Sequence, residues 1–286
     1  MSKKSRRKQR RTTSTFYMPQ PRPRPFAGLA NELEFAAMRE LLPAASLKLT
    51  LLREGREDRE VTFVTACPSS VQGMVRSDGV VMVALQTRAR TQDASHDLGL
   101  VVSRLLDAEA GTVIDGLDLR QRAPRLQEVI GDASGDMTVH TDLGFWLAEA
   151  DKTPEALEAI NRSADEMVAC EAVAGQRATY LCHMDPDFLR IVLPDEEDAV
   201  FDGLARLKAR DALSIPGRAH FIGAFRLFGL VAPVWEYDVA VEGADIADEV
   251  AALRERLDEA IADTQPLSVD ARHARQGIVS RQLSLR

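Results

Sequence analysis

Ser95-His96-Asp97 brings together the residue types of a nucleophile, a base and an orienting carboxylate. Such a trio works only as a hydrogen-bonded chain. Consecutive residues on a helix point in different directions, and no G-x-S-x-G turn is present, so the stretch reads as the start of a helix. Cys170, Cys182, His183 and His220 are the residue types of a metal site. Neighbours in a strand face opposite sides of a sheet, so Cys182 and His183 should not share one ion. Without a CxxC pair or an HExxH helix, reduced structural cysteines are expected and no metal. The glycines of "GRAHFIGAFRLFG" are spread along strands and not packed into a phosphate loop. Gly223 and Gly229 therefore suggest a bulge and a turn, and no cofactor is implied.

The acids of "LPDEED" suit the positive end of a helix without catalysis, and those of "DMTVHTD" are ordinary surface acids. Phe145-Trp146 and Trp235-x-Tyr237 are candidate platforms for stacked bases. Trp235 sits in the apolar run "LVAPVWEY", where core packing is the expectation. Nothing here marks a reaction. An enzyme would need a site between the two halves of the chain that no motif reveals.

The strongest chemical signal is electrostatic. Residues 1–25 hold nine Lys and Arg and no acid, and the first acid is Glu32. The remaining 27 basic residues face 44 acidic ones, so the body carries a net charge of −17. A flexible run comprising Lys3, Lys4, Arg6, Arg7, Lys8, Arg10 and Arg11 can neutralise phosphates without reading sequence, in a salt-dependent way. These seven residues are the candidate contacts to RNA, DNA or the ribosome. The alternative is a protein-binding module, through the sheet or the Trp235 region, with no nucleic acid. The basic end "DARHARQGIVSRQLSLR" offers either a second contact surface or a helical brace.

The elements that must hold these groups follow from periodicity. Residues 1–25 are polar, charged and Pro-rich and are expected to be a disordered tail, with the folded part starting near Phe26. "NELEFAAMRELLP" reads as a helix capped by Asn31. "SLKLTLL", "EVTFVTA" and "VVMVALQ" read as strands, and "HDLGLVVSRLLDAEAG" as a helix ending before Gly111. Residues 112–150 give no clear pattern. "TPEALEAINRSADEMV" reads as a helix capped by Thr153, with a stripe of Leu157, Ile160, Ala164, Met167 and Val168. Then come a hairpin around Asp185-Pro186-Asp187, a helix over 195–210, a strand pair over 219–239 and a helix over 245–263. The expected class is α+β: largely antiparallel sheets covered by helices as two-layer sandwiches. Two similar-sized halves, 26–150 and 151–286, follow the basic tail. The element order also suits an internal duplication, although residue identity between the halves is poor.

The three cysteines are too few for a disulfide framework, and no apolar h-region follows the basic head. No run is long and apolar enough for a transmembrane helix. A cytoplasmic protein with no membrane partner is expected. Several stretches, among them "RPFAGLANELEFAAMRELLPAA", "FLRIVLPDEEDAVFDGLARL" and "FIGAFRLFGLVAPVWEYD", resemble a family of actinobacterial proteins known only as a domain of unknown function. Members sometimes carry the automatic label preprotein translocase SecA. The resemblance implies a cytoplasmic bacterial protein and lends no activity. The SecA label has no support in this chain, which lacks a Walker A sequence and a C-terminal zinc cluster.

Overall fold

Two sheets, with helices packed on them, order the described residues. The computed structural model describes residues 17–51, 57–88, 90–165 and 167–280. The N-terminal half contains α1 (Glu32–Glu40), β1 (Ala45–Leu51), β2 (Arg59–Val64), β3 (Gly73–Val75), β4 (Val81–Ala84) and α2 (Ala94–Leu105). It continues with β5 (Val113–Ile114), α3 (Leu126–Ile130) and β6 (Met137–Val139). The C-terminal half contains α4 (Pro154–Ala164), β7 (Ala169–Ala172), β8 (Thr179–His183), β9 (Phe188–Ile191) and α5 (Glu197–Ala209). It ends with β10 (Ala219–Leu227), β11 (Leu230–Tyr237), α6 (Gly243–Ala262) and α7 (Val269–Ser280).

The first sheet has six strands in the order β5-β3-β4-β2-β1-β6, antiparallel except for β2 and β4, which run parallel. The second has five antiparallel strands, β10-β11-β9-β8-β7. The two strand orders differ, so the similar order of elements along the chain does not extend to topology. The α+β class with mostly antiparallel sheets stands.

Alternation explains the burial. In β11, Leu230, Ala232 and Val234 face one apolar cluster while Val231, Trp235 and Tyr237 face another. Tyr180 and Cys182 of β8 join the first, and Leu181 joins the second. The second sheet is thus covered on both faces, which is why "LVAPVW" is apolar without a break. The β9–β11 ladder covers Val234–Glu236, with a separate bridge at Val231, so it skips Pro233, which has no N–H to donate. Helices α5 and α6 cover the outer face through Val200, Leu204, Ile246, Val250, Leu253 and Leu257. Each such side chain contributes about 1.5–3 kcal/mol by leaving water.

The inner cluster is shared by both halves. It joins Leu47, Leu49, Val61 and Phe63 of the first sheet, Phe35 and Met38 of α1, and Phe225, Leu227 and Val234 of the second sheet. Every residue of α1 from Leu33 to Arg39 is buried, so the amphipathic reading of this helix caught only one of its packed sides. Asn31 makes no side-chain cap. Its amide instead exchanges two 3.0 Å hydrogen bonds with the backbone of Gly135, tying the start of α1 to the loop before β6.

Other boundaries also moved. Helix α2 starts at Ala94 because Asp93 accepts from the backbone N–H groups of Ser95 and His96. Helix α4 has the expected Thr153 cap but stops at Ala164, and of the expected stripe Leu157 and Val168 are exposed. The bulge falls at Phe221/Gly223 as expected. Phe228 and Gly229 both have positive φ (50° and 77°), the twist a two-residue hairpin turn requires. Among the described residues no helix is long and apolar enough to cross a membrane.

Candidate nucleic-acid interface

Lys3, Lys4, Arg6, Arg7, Lys8, Arg10 and Arg11 lie outside the described residues. The chain that follows them does not hang free. Tyr17 donates its N–H to the Arg120 carbonyl at 3.3 Å, lies 5.4 Å from the His96 ring, and has the Arg122 guanidinium 5.0 Å above its own ring. Arg22 N–H reaches the Gln92 carbonyl. Arg24 donates to Glu32 at 2.6 Å, to Glu196 at 2.9 Å and to the Pro194 carbonyl at 2.8 Å. Its hydrogen bond to Glu32 raises its pKa. Residues 17–25, expected as part of a disordered tail, therefore form a strap across the body. Arg24 is already held by the body's own carboxylates and is not available to a phosphate.

The strap runs from Arg120 and Arg122, which hold Tyr17, to Gln92, which holds Arg22. Two residues before Gln92 in the chain, Arg90 lines a pocket of about 340 Å³ together with Arg39, Glu40, Ser70, Leu85, Gln86, Thr87 and Arg88. Its walls are built by the parallel strands. Leu85 and Gln86 extend β4 by donating backbone N–H groups to Val64 and Thr65. The Gln86 amide then donates to the carbonyls of Met38 (2.8 Å) and Leu42 (2.9 Å), which closes the C-terminal end of α1. The pocket thus sits past the carboxyl end of β4 and before α2.

Arg39 is buried, donates to the Leu85 carbonyl at 2.7 Å and lies 5.5 Å from the Phe228 ring centroid. Burial lowers its pKa. Arg88 and Arg90 are exposed, and neither has a carboxylate within ion-pair distance among the described residues. Arg22 is in the same condition. One carboxylate, Glu40, shares the pocket. Ser69 and Ser70 hold positive φ (56° and 59°), a conformation costing about 1–3 kcal/mol per residue that tends to occur at ligand-holding turns. Sequence reading missed this group because Arg39 is separated from Arg88 and Arg90 by about fifty positions and no motif links them. The only available signal was the charge of "TRAR" next to a strand end.

The match to the family of unknown function DUF5926 spans residues 25–286. The chain belongs to this family. The family match covers the pocket but not the basic segment 3–11. No curated protein and no solved structure matches the chain.

The other groups singled out in this DUF5926 chain have structural partners. Ser95 Oγ accepts from the Leu126 N–H at 3.0 Å and also bonds Gln127, so it does not pair with His96. His96 bonds the Gln121 carbonyl at 2.8 Å. His183 turns away from Cys182 to lie between Glu171 (3.1 Å) and Asp187 (3.5 Å). Those two carboxylates accept the backbone N–H groups of Gly243 and Val241, tying the start of α6 to the hairpin. Trp235 is fully buried and donates to the Leu213 carbonyl at 2.7 Å, so it offers neither a stacking platform nor a partner surface. Trp146 donates to Ala66, and Phe145 stacks on His140 at 4.5 Å, covering the first sheet.

The acids at the start of α5 hold other elements in place. Glu196 takes Arg24, Glu197 takes Arg226, and Asp198 with Asp202 takes Arg275 of α7. The C-terminal helix is therefore a brace, while Arg281 and Arg286 lie outside the described residues. Between the halves a cleft of about 420 Å³ is lined by Asn31, Glu34, Asp136, Arg177 and Tyr180, among others. Arg177 grips Glu34 through two contacts of 2.8 and 3.0 Å, so these two are engaged with each other.

Proposed function

We propose that this DUF5926 protein is a non-enzymatic, cytoplasmic nucleic-acid-binding protein. Its basic segment, Lys3 to Arg11, makes the phosphate contacts, and the face bearing Arg22, Arg88 and Arg90 continues them onto the body. The observation that carries the reading is that Arg22, Arg88 and Arg90 are exposed and without an ion pair, on a body that is acidic overall. An acidic globule repels phosphates at a distance, so binding needs a local cationic track. The strap supplies continuity by delivering the segment at Arg120–Arg122 and running on towards Arg90.

The chemistry fits backbone neutralisation rather than base readout, since the aromatic side chains among the described residues are buried or half-buried. RNA, including that of the ribosome, and DNA share the phosphate chemistry. Titration of the full chain and of a chain starting at residue 17 against labelled single-stranded RNA and duplex DNA, over a salt series, tests the reading. Equal affinity of the two chains would discard it. A protein-binding module is the second reading, favoured by the exposed Val168 and Met184 beside an apolar cleft. A partner retained after nuclease treatment would decide for it.

A further inference from the structure

We propose that Cys170 and Cys182 form a redox site that closes to a disulfide when it meets a peroxide. The two cysteines are paired directly across β7 and β8. Residues so placed have Cα atoms about 4.5–5.5 Å apart, inside the 4.4–6.8 Å range a disulfide spans. Their sulfurs are 3.1 Å apart, so bonding needs an approach of about 1 Å and no change of register.

The site has an entrance and a charge. Cys170 lines a cleft of about 430 Å³ bounded by Leu41, Leu42, Met167, Val168 and Met184, whereas Cys182 lies behind it and is fully buried. Arg190 lines the same cleft and its Nε is buried without a partner. Its positive charge acts on both sulfurs and favours the thiolate. The Cys170 thiol donates to Cys182, which raises the Cys170 pKa and lowers that of Cys182, so the pair's negative charge rests on Cys182 until the proton crosses the 3.1 Å gap and leaves the thiolate on Cys170 beside the cleft. Cys67 provides the contrast. It is buried with no thiol neighbour, and burial pushes it up to about 12.

The chemistry balances with the peroxide as oxidant. The Cys170 thiolate attacks one peroxide oxygen, the O–O bond breaks, and Cys170 sulfenic acid and hydroxide form. Hydroxide takes the shared proton and leaves as water. The Cys182 thiolate then attacks the sulfenic sulfur, the S–O bond breaks, and the departing hydroxide takes a proton from solvent and leaves as a second water. Two electrons pass from the sulfurs to the peroxide. The product staples β7, the edge strand of the second sheet, to β8.

The native full-length chain is treated with hydrogen peroxide, then unfolded and alkylated. The count of free thiols should fall from three to one, with Cys67 the survivor and the new bond mapped to Cys170 and Cys182. All three thiols remaining free at doses that oxidise the unfolded chain, or Cys67 reacting first, would overturn the proposal. In Cys182→Ser, dimedone should capture a sulfenic acid on Cys170. In Cys170→Ser, Cys182 should stay unlabelled, and labelling there would overturn the assignment of the attacking sulfur. Arg190→Gln should slow oxidation about tenfold, the factor for one pKa unit, while Arg190→Lys retains most of the rate. Equal rates in all three chains would remove Arg190 from the site.

Discussion

Removing residues 1–16 should change how nucleic-acid binding responds to salt far more than it changes the fold. The seven cations from Lys3 to Arg11, with Arg22, Arg88 and Arg90, offer about ten phosphate contacts. On single strands each contact contributes about −0.7 to the slope of log K against log salt, so the full chain should show a slope near −7. The shortened chain keeps about three contacts and a slope near −2. Raising salt from 50 to 200 mM should then weaken the full chain by about 10⁴ and the shortened one by about twentyfold. The acidic body acts the other way, but screening confines its repulsion to roughly 8 Å at physiological salt. Fluorescence anisotropy with labelled oligouridine at four or five salt concentrations measures both slopes. R88A/R90A in the full chain should lower the slope by about 1.4 and leave thermal stability unchanged. Superimposable slopes for the full and shortened chains would refute the electrostatic reasoning, because counterion release counts contacts directly.

Other consequences of the structure are testable without a ligand. Arg24→Ala removes charged hydrogen bonds worth about 1.5–3 kcal/mol from the strap, so chymotryptic cleavage after Tyr17 should accelerate tenfold or more. At Gly203→Ala the new methyl would meet Ile261 Cγ1 at 2.6 Å and Ile261 N at 2.9 Å, where α5 crosses α6. The overpacking should cost about 1–3 kcal/mol, visible as a lower Tm of roughly 2–4 °C per kcal/mol. Cys67 should steepen alkaline denaturation, since its thiol stays protonated in the native chain up to about 12 but ionises near 9 when unfolded. Stability should therefore be intact below pH 9 and fall by about 1.4 kcal/mol per pH unit above it. Urea titrations of Cys67→Ala over pH 8.5–10.5 should show a correspondingly flatter slope.

The sequence disclosed those elements whose pattern depends on local chemistry. Helix α6 carries Ile246, Val250, Leu253 and Leu257 at helical spacing, and Gly229 fits the hairpin turn, so both were legible. Helix α1 was only half legible, because a helix enclosed between two sheets needs apolar residues on several sides and loses its clean stripe. Helix α4 was read too long, since Met167 and Val168 continue its spacing although the chain has already turned towards β7. That error hid β7, and with it the register that sets Cys170 opposite Cys182. The pocket of Arg39, Arg88 and Arg90 was invisible for a related reason. Its members meet only after β4 has been placed beside β2, a pairing that crosses β3 and that no single window of sequence displays.

The apolar cluster common to both halves has a practical consequence for dissecting the protein. A gene cut at residues 150/151, the natural guess for a boundary, would separate Phe35 and Met38 from Phe225 and Val234, which they pack with in one core. Each fragment would carry half of a greasy seam into solvent, and neither should be soluble by itself. Co-expressed, the same fragments should find one another and refold, which makes that cut a starting point for a complementation reporter rather than for isolated modules.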